Sequence, residues 1–166
     1  MTNVKKIKTN VARLLEKQGV TFELVPYEVD ESDLGAEHVA EQLGESVEQV
    51  YKTIVLRGDK TGCLVGIVPA NCEIDLKKMA KASGNKKCEP LPLKELLPTT
   101  GYIRGGCSPI GMKKHFPTYL HASAMNCLYI YVSAGVRGLQ LKIAPSDLVA
   151  QTQAEVQDII ITEATE

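Results

Sequence analysis

The sequence predicts a mixed α/β domain in which a partly closed, barrel-like β-sheet is flanked by helices. Three observations carry that expectation. The 166 residues, 44% hydrophobic and 23% charged, suit one hydrophobic core and are too apolar to stay disordered. Helical and extended patterns alternate irregularly, so a strict βαβ repeat with an open parallel sheet fits badly. A hairpin early in the chain and a cluster of strands late in it ask for a mixed sheet instead. With no internal repeat, low-complexity tract or linker, residues 1–166 read as a single domain.

The elements follow in order. Val4, Ile7, Val11 and Leu14 recur at helical spacing, with Gly19 as the stop. Thr21 to Tyr27 alternates apolar and polar residues and ends near Pro26, as a strand near a sheet edge does. Ser32 is placed to cap a helix through Leu43 that stops at Gly44. Ser46 and Gln49 form a capping-box pattern for a short helix ending before Lys52. Thr53–Arg57 and Cys63–Val68 are β-rich runs joined by the polar, Gly-bounded link 58–62, the pattern of a hairpin. Asp75–Ser83 is a Lys-rich helix closed by Gly84, Leu93–Leu97 a one-turn helix before Pro98, and Ser146–Gln151 a capped helix. Strands are expected at Tyr102–Arg104, Thr118–His121, Leu128–Val132 and Leu139–Ile143, and the acidic C-terminal end is expected to be loose.

The formal net charge of −1 hides a bipolar chain. Residues 23–48 carry nine acids and no Lys or Arg, whereas residues 77–142 carry eleven Lys and Arg against Glu89 and Glu95. A solvated helix face accounts for Lys77, Lys78 and Lys81. The whole basic segment also fits a polyanion partner bound in a salt-dependent way, with the acids lying elsewhere. The N-terminus lacks the apolar core of a signal peptide, and no apolar run approaches the roughly 20 residues of a membrane span. A cytoplasmic protein without membrane contact is the expectation. Five cysteines, odd in number and without Cys-x-x-Cys or a neighbouring His at ligand spacing, support neither a disulfide framework nor a metal site.

The densest punctuation is Gly101-Tyr-Ile-Arg-Gly-Gly-Cys-Ser-Pro-Ile-Gly-Met-Lys-Lys. Such a loop can bring bare N–H groups to a carbonyl oxygen or phosphate; a plain wide turn is the alternative. Lys52 stands between a short helix and an apolar strand, where it either snorkels to water or meets a ligand. Tyr131 to Gly138 either turns a hairpin or walls a cleft. Cys107 and Ser108, with His115 and His121 following, raise nucleophilic catalysis, but the Gly-x-Ser-x-Gly elbow is missing and no Asp pairs obviously with either His.

Val50-Tyr-Lys-Thr, Asp75-Leu-Lys-Lys-Met-Ala-Lys-Ala, Gly101-Tyr, Gly105-Gly-Cys-Ser-Pro-Ile-Gly-Met-Lys-Lys and Tyr131-Val-Ser-Ala-Gly with Arg137-Gly-Leu, in this order and spacing, resemble the YbaK/EbsC family. Its members are bacterial trans-editing Cys-tRNA(Pro) deacylases related to the insertion domain of prolyl-tRNA synthetase. The resemblance covers nearly the whole chain. It implies a compact α/β domain and hydrolysis of the ester joining a wrong amino acid to the 3′ end of tRNA(Pro), Cys before others such as Ala. No cofactor is implied. The partners would be the acceptor end of mischarged tRNA and, in addition, prolyl-tRNA synthetase.

By motif position, Lys52 would anchor the terminal nucleotide or carbonyl region, and Gly105 would hold the scissile ester through its backbone. Gly106, Cys107, Ser108, Pro109 and Gly111 complete that loop. Tyr27, Asp33, Leu34 and Gly35 resemble the segment closing the amino-acid pocket, and Thr53, Ser133 and Gly135 further lining. In cysteine-specific members no enzyme side chain attacks; the substrate's own thiol displaces the tRNA as a cyclic thioester. Two departures stand out: Gln140 occupies the place of an acid after Arg-Gly-Leu, and Cys107 an apolar position of the loop. A non-catalytic module binding a nucleotide or aminoacyl group, and a thiol hydrolase using Cys107, are the competing functional readings.

Overall fold

The computed structural model of the chain describes residues 9–162; Val4 and Ile7 of the expected first helix lie outside them. The fold is mixed α/β, with five α-helices and two sheets among the described residues. Helix α1 (Asn10–Lys17) is capped by Thr9, whose hydroxyl accepts from Ala12 N, and buries Val11 and Leu15 at i, i+4. Leu14, expected on that face, is 38% exposed. Strand β1 (Phe22–Pro26) follows. Helix α2 (Ala36–Leu43) starts four residues beyond the expected cap. Asp30 accepts hydrogen bonds from Ser32, and Asp33 from Gly35 N, so two side-chain turns take the backbone that a longer helix would have used. A single 3-10 turn at Val47–Gln49, with Ser46 Oγ accepting from Glu48 N, leads into the hairpin.

The hairpin forms as the sequence predicts, with β2 (Tyr51–Gly58) and β3 (Gly62–Pro69) antiparallel from Tyr51 opposite Pro69 to Gly58 opposite Gly62. Helix α3 (Leu76–Ser83) is capped by Asp75 and closed by Gly84. Strand β4 (Cys88–Pro90) precedes α4 (Leu93–Thr100), which continues through Pro98 rather than ending before it. Strand β5 (Thr118–His121), a 3-10 turn at Ala122–Asn126, β6 (Ile130–Ser133), β7 (Leu139–Ile143), α5 (Pro145–Thr152) and β8 (Glu155–Gln157) complete the chain. Ser146 does not cap α5: Ala144 is the cap residue and Pro145 opens the first turn. The expected strand at 102–104 is irregular backbone, because Gly101 (φ +89) turns the chain and no partner strand meets it.

The five-stranded sheet runs β4-β2-β3-β5-β8 and the three-stranded one β1-β7-β6. Strand β3 pairs antiparallel with β2 and parallel with β5. Its central apolar run is buried on both sides: Val65 and Ile67 belong to the core shared with Ile130, Val132, Leu141 and α1, and Leu64 and Val68 to the layer with Met79 of α3 and Ile159. The barrel-like closure expected from sequence does not form. The two sheets meet through one isolated parallel bridge, Val50 to Tyr131, and β6 already spends its other edge on β7. Alternation in a sequence shows which faces are buried, not which strand edges meet.

Candidate functional site

A pocket of about 270 Å³ lies beside that bridge. Its walls come from the approach to α2 and its first residues (Leu34, Gly35, Ala36, Val39), Val50 and the start of β2 (Tyr51 to Ile54), the glycine loop (Arg104, Gly105, Cys107), the end of β6 (Ser133) and the middle of β7 (Gln140). The acidic segment thus supplies one wall of the pocket, through uncharged residues, instead of lying apart from it. Lys78 ties down the C-terminal residues through Asp158, the Ile160 carbonyl and Thr162, Lys142 sits 4.4 Å above the Tyr129 ring, and Arg104 reaches the pocket.

Lys52 projects from the β-ladder with its side chain 26% exposed, its Nζ 3.8 Å from the carboxylate of Glu73. Glu73 is 81% exposed, and such pairs are worth roughly 0–1 kcal/mol, so the ammonium leaves this partner at little cost. Beside it, Thr53 Oγ1 and Gln140 Oε1 are buried and make no hydrogen bond among the described residues. Gln140 is itself 5% exposed. A carboxylate buried there without a cation would be costly, and the neutral amide avoids that cost.

In the same pocket, Gly105 takes φ +86, a backbone conformation that favours glycine. Gly106 packs on the backbone of Val136 and Arg137, which a Cβ would approach to 3.2 Å. The loop is tied at three points. Gly106 N donates to Ile103 O, Arg137 Nε donates to Arg104 O at 2.8 Å, and the buried Tyr102 hydroxyl donates to Ile110 O. The same Tyr102 ring packs against Gly135 (φ +106), so one side chain holds both the loop and the turn after β6.

Lys52, Thr53, Leu34, Gly35, Gly105, Cys107 and Ser133 of the sequence-derived set meet in this pocket. The others do not line it. Tyr27 packs behind α2 with Val39 and Val50. Asp33 is exposed, 3.7 Å from His38 Nδ1. Gly106 and Gly135 serve close backbone approach. Ser108 is fully buried and its Oγ accepts from Ile110 N, and Pro109 and Gly111 face a separate cavity that also holds Lys114 and His115. Sequence reading missed Arg104, Val39, Val50 and Ile54 as lining. The last three read simply as core, and only the adjacency of Arg104 to the glycines offered a signal.

The cysteine and histidines that raise nucleophilic catalysis do not form a catalytic pair in the pocket. Burial pushes the Cys107 thiol up to about 12, so it stays protonated at neutral pH. His121 does have an acid nearby, Asp158 at 3.8 Å, but its Nδ1 accepts from Ile159 N and it stands on β5 away from the pocket. Burial there lowers its pKa. Among the described residues no three His, Cys, Asp or Glu side chains gather as a metal site, and no helix is long and apolar enough to cross a membrane.

Comparison with known proteins gives four findings. The family profile of the aminoacyl-tRNA editing domain matches residues 31–150. EbsC of Enterococcus faecalis (strain ATCC 700802 / V583), named as a candidate Cys-tRNA(Pro)/Cys-tRNA(Cys) deacylase, is 50% identical over 156 residues, 94% of this chain and 95% of that one. The uncharacterized protein YwhH of Bacillus subtilis (strain 168) is 25% identical over 88% of each chain. Among solved structures, a candidate trans-editing enzyme for prolyl tRNA synthetase superposes with a TM-score of 0.81 at 25% identity, over 94% of this chain and 100% of the other.

Proposed function

The chain belongs to the aminoacyl-tRNA editing domain family, and from that premise we propose that it is a trans-acting deacylase clearing mischarged tRNA(Pro), Cys-tRNA(Pro) first. The observation that carries this reading is that Lys52 and Gly105, distant in sequence, line the same pocket. A cation and a bare backbone share that cavity, the pairing that binding an anionic acceptor end and a polarised ester carbonyl requires.

In this reading the 166 residues act as one editing domain in the cytoplasm. The Gly105 loop receives the scissile carbonyl, Lys52 holds the terminal nucleotide, and Leu34, Gly35, Thr53 and Ser133 surround the aminoacyl group. Prolyl-tRNA synthetase is the partner that would supply tRNA specificity, a reading supported by the similarity to a candidate trans-editing enzyme for that synthetase. With Cys107 protonated, the attacking sulfur is the substrate's own. A sulfur–carbon bond forms at the ester carbonyl, the carbon–oxygen bond to the ribose breaks, the thiol proton ends on the ribose oxygen, and water opens the resulting cyclic thioester. The protein contributes position and charge stabilisation.

The test is deacylation of Cys-tRNA(Pro) and Ala-tRNA(Pro) by wild type and Lys52→Ala. The wild type is expected to clear the cysteinyl ester faster, since alanine has no thiol, and the variant to lose about 10²-fold, the scale of one charged contact in the transition state. Equal rates in the two proteins sink the role of Lys52. Tight binding of an acceptor end without turnover favours the non-catalytic module.

A further inference from the structure

We propose that Arg137 is a positioning residue of the editing reaction: it clamps the Arg104–Gly105 peptide so that the Gly105 N–H is presented to the scissile carbonyl. This rests on the deacylase reading above and adds to it a residue that does not itself line the pocket.

A trans peptide is planar, with its C=O and N–H pointing in opposite directions. The carbonyl of Arg104 accepts from Arg137 Nε at 2.8 Å, a charge-assisted bond from a planar donor. That bond fixes the plane, and with it the direction of the Gly105 N–H. The carbonyl faces Arg137, so the N–H on the other edge of the plane points away from the guanidinium, while Arg104 and Gly105 themselves line the pocket. The Gly105 N–H makes no hydrogen bond among the described residues, whereas the next amide, Gly106 N, is used by Ile103 O. Arg137 also lies flat on Gly105: a Cβ there would come within 3.2 Å of Nε and 3.4 Å of Cγ. Glycine at 105 therefore serves two ends, the positive φ and room for the guanidinium stem. Arg137 has no carboxylate partner among the described residues, so nothing competes for its orientation.

The experiment compares wild type, Arg137→Ala and Arg137→Lys in Cys-tRNA(Pro) deacylation, with the Gly105 amide followed by NMR in the 15N-labelled proteins. For Arg137→Ala, kcat is expected to fall about 10²-fold, the lower end of what losing an oxyanion donor costs, with KM within about twofold. Ethylguanidinium in the assay should restore part of kcat, and tetramethylammonium at the same ionic strength should not. The Gly105 amide resonance should shift and broaden while the remaining spectrum stays folded. A rise in KM at unchanged kcat would make Arg137 an anchor for phosphate and overturn the proposal. So would full activity in Arg137→Lys, because charge alone would then suffice, or an unmoved Gly105 resonance. A wild type that deacylates none of the mischarged tRNAs overturns the deacylase reading instead, and the amide resonance still decides whether Arg137 sets the peptide.

Discussion

The two walls of the pocket that carry Lys52 and Gly105 are built on opposite principles. Lys52 and Thr53 stand on β2, paired residue by residue with β3 along eight positions. Gly105 stands in a loop without regular pairing, held by Gly106 to Ile103, Arg137 to Arg104 and Tyr102 to Ile110. A ladder spreads the cost of one lost bond over its neighbours, whereas a loop tied at three points cedes its geometry when one tie goes. The side chain that carries charge is on the stiff wall, and the backbone that must meet the carbonyl is on the wall where single residues decide its aim.

Substitutions on the loop side should therefore cost activity out of proportion to stability. The largest effect is expected for Gly105→Ala, which forces a Cβ into positive φ and within 3.2 Å of Arg137 Nε. Single-turnover deacylation should fall about 10²- to 10³-fold, for a stability loss of about 1–2 kcal/mol by thermal unfolding. A melting temperature that falls in step with activity in Gly105→Ala would erase the contrast between the walls. Tyr102→Phe comes next. It leaves the Ile110 carbonyl buried without its donor, costing about 1–3 kcal/mol, and loosens the far end of the loop, for which a drop of about tenfold in kcat is expected. An unchanged rate would show that the end at Gly105 is held independently.

The smallest effect is expected at Cys107. Its thiolate forms only toward the value of about 12 set by burial, so a pH–rate profile between 6 and 9 should show no limb from this thiol. Cys107→Ala and treatment with a thiol alkylator should leave deacylation within about twofold. A loss of activity in both would revive the thiol-hydrolase reading.

How much of this was legible in the sequence follows from the range of the interactions. The β2–β3 hairpin was readable because its alternation and its Gly-bounded turn lie within a short stretch, and the glycine loop because its residues are contiguous. Strands β4 and β8 were not, since three residues each, with Pro90 in one and Glu155 and Gln157 in the other, become strands only through partners far along the chain. Tyr102 was misread as a strand residue for the converse reason: an apolar residue in an extended stretch looks alike whether it pairs or plugs a loop. The tie from Arg137 to Arg104 spans 33 positions through a side chain and a carbonyl, and no local pattern encodes it. Lys52, by contrast, stood out as a cation in an apolar run, although its place in one pocket with Gly105 needed the fold.

The burial that keeps the Cys107 thiol protonated also bears on durability. Peroxide and other oxidants consume thiolates, and a thiol held far above neutrality in its titration is a slow target. The wall of the pocket thus carries a sulfur that resists wear. In the reaction proposed here, the sulfur that reacts arrives with each substrate and leaves with each product. A catalyst of this kind commits no thiol of its own to the reaction.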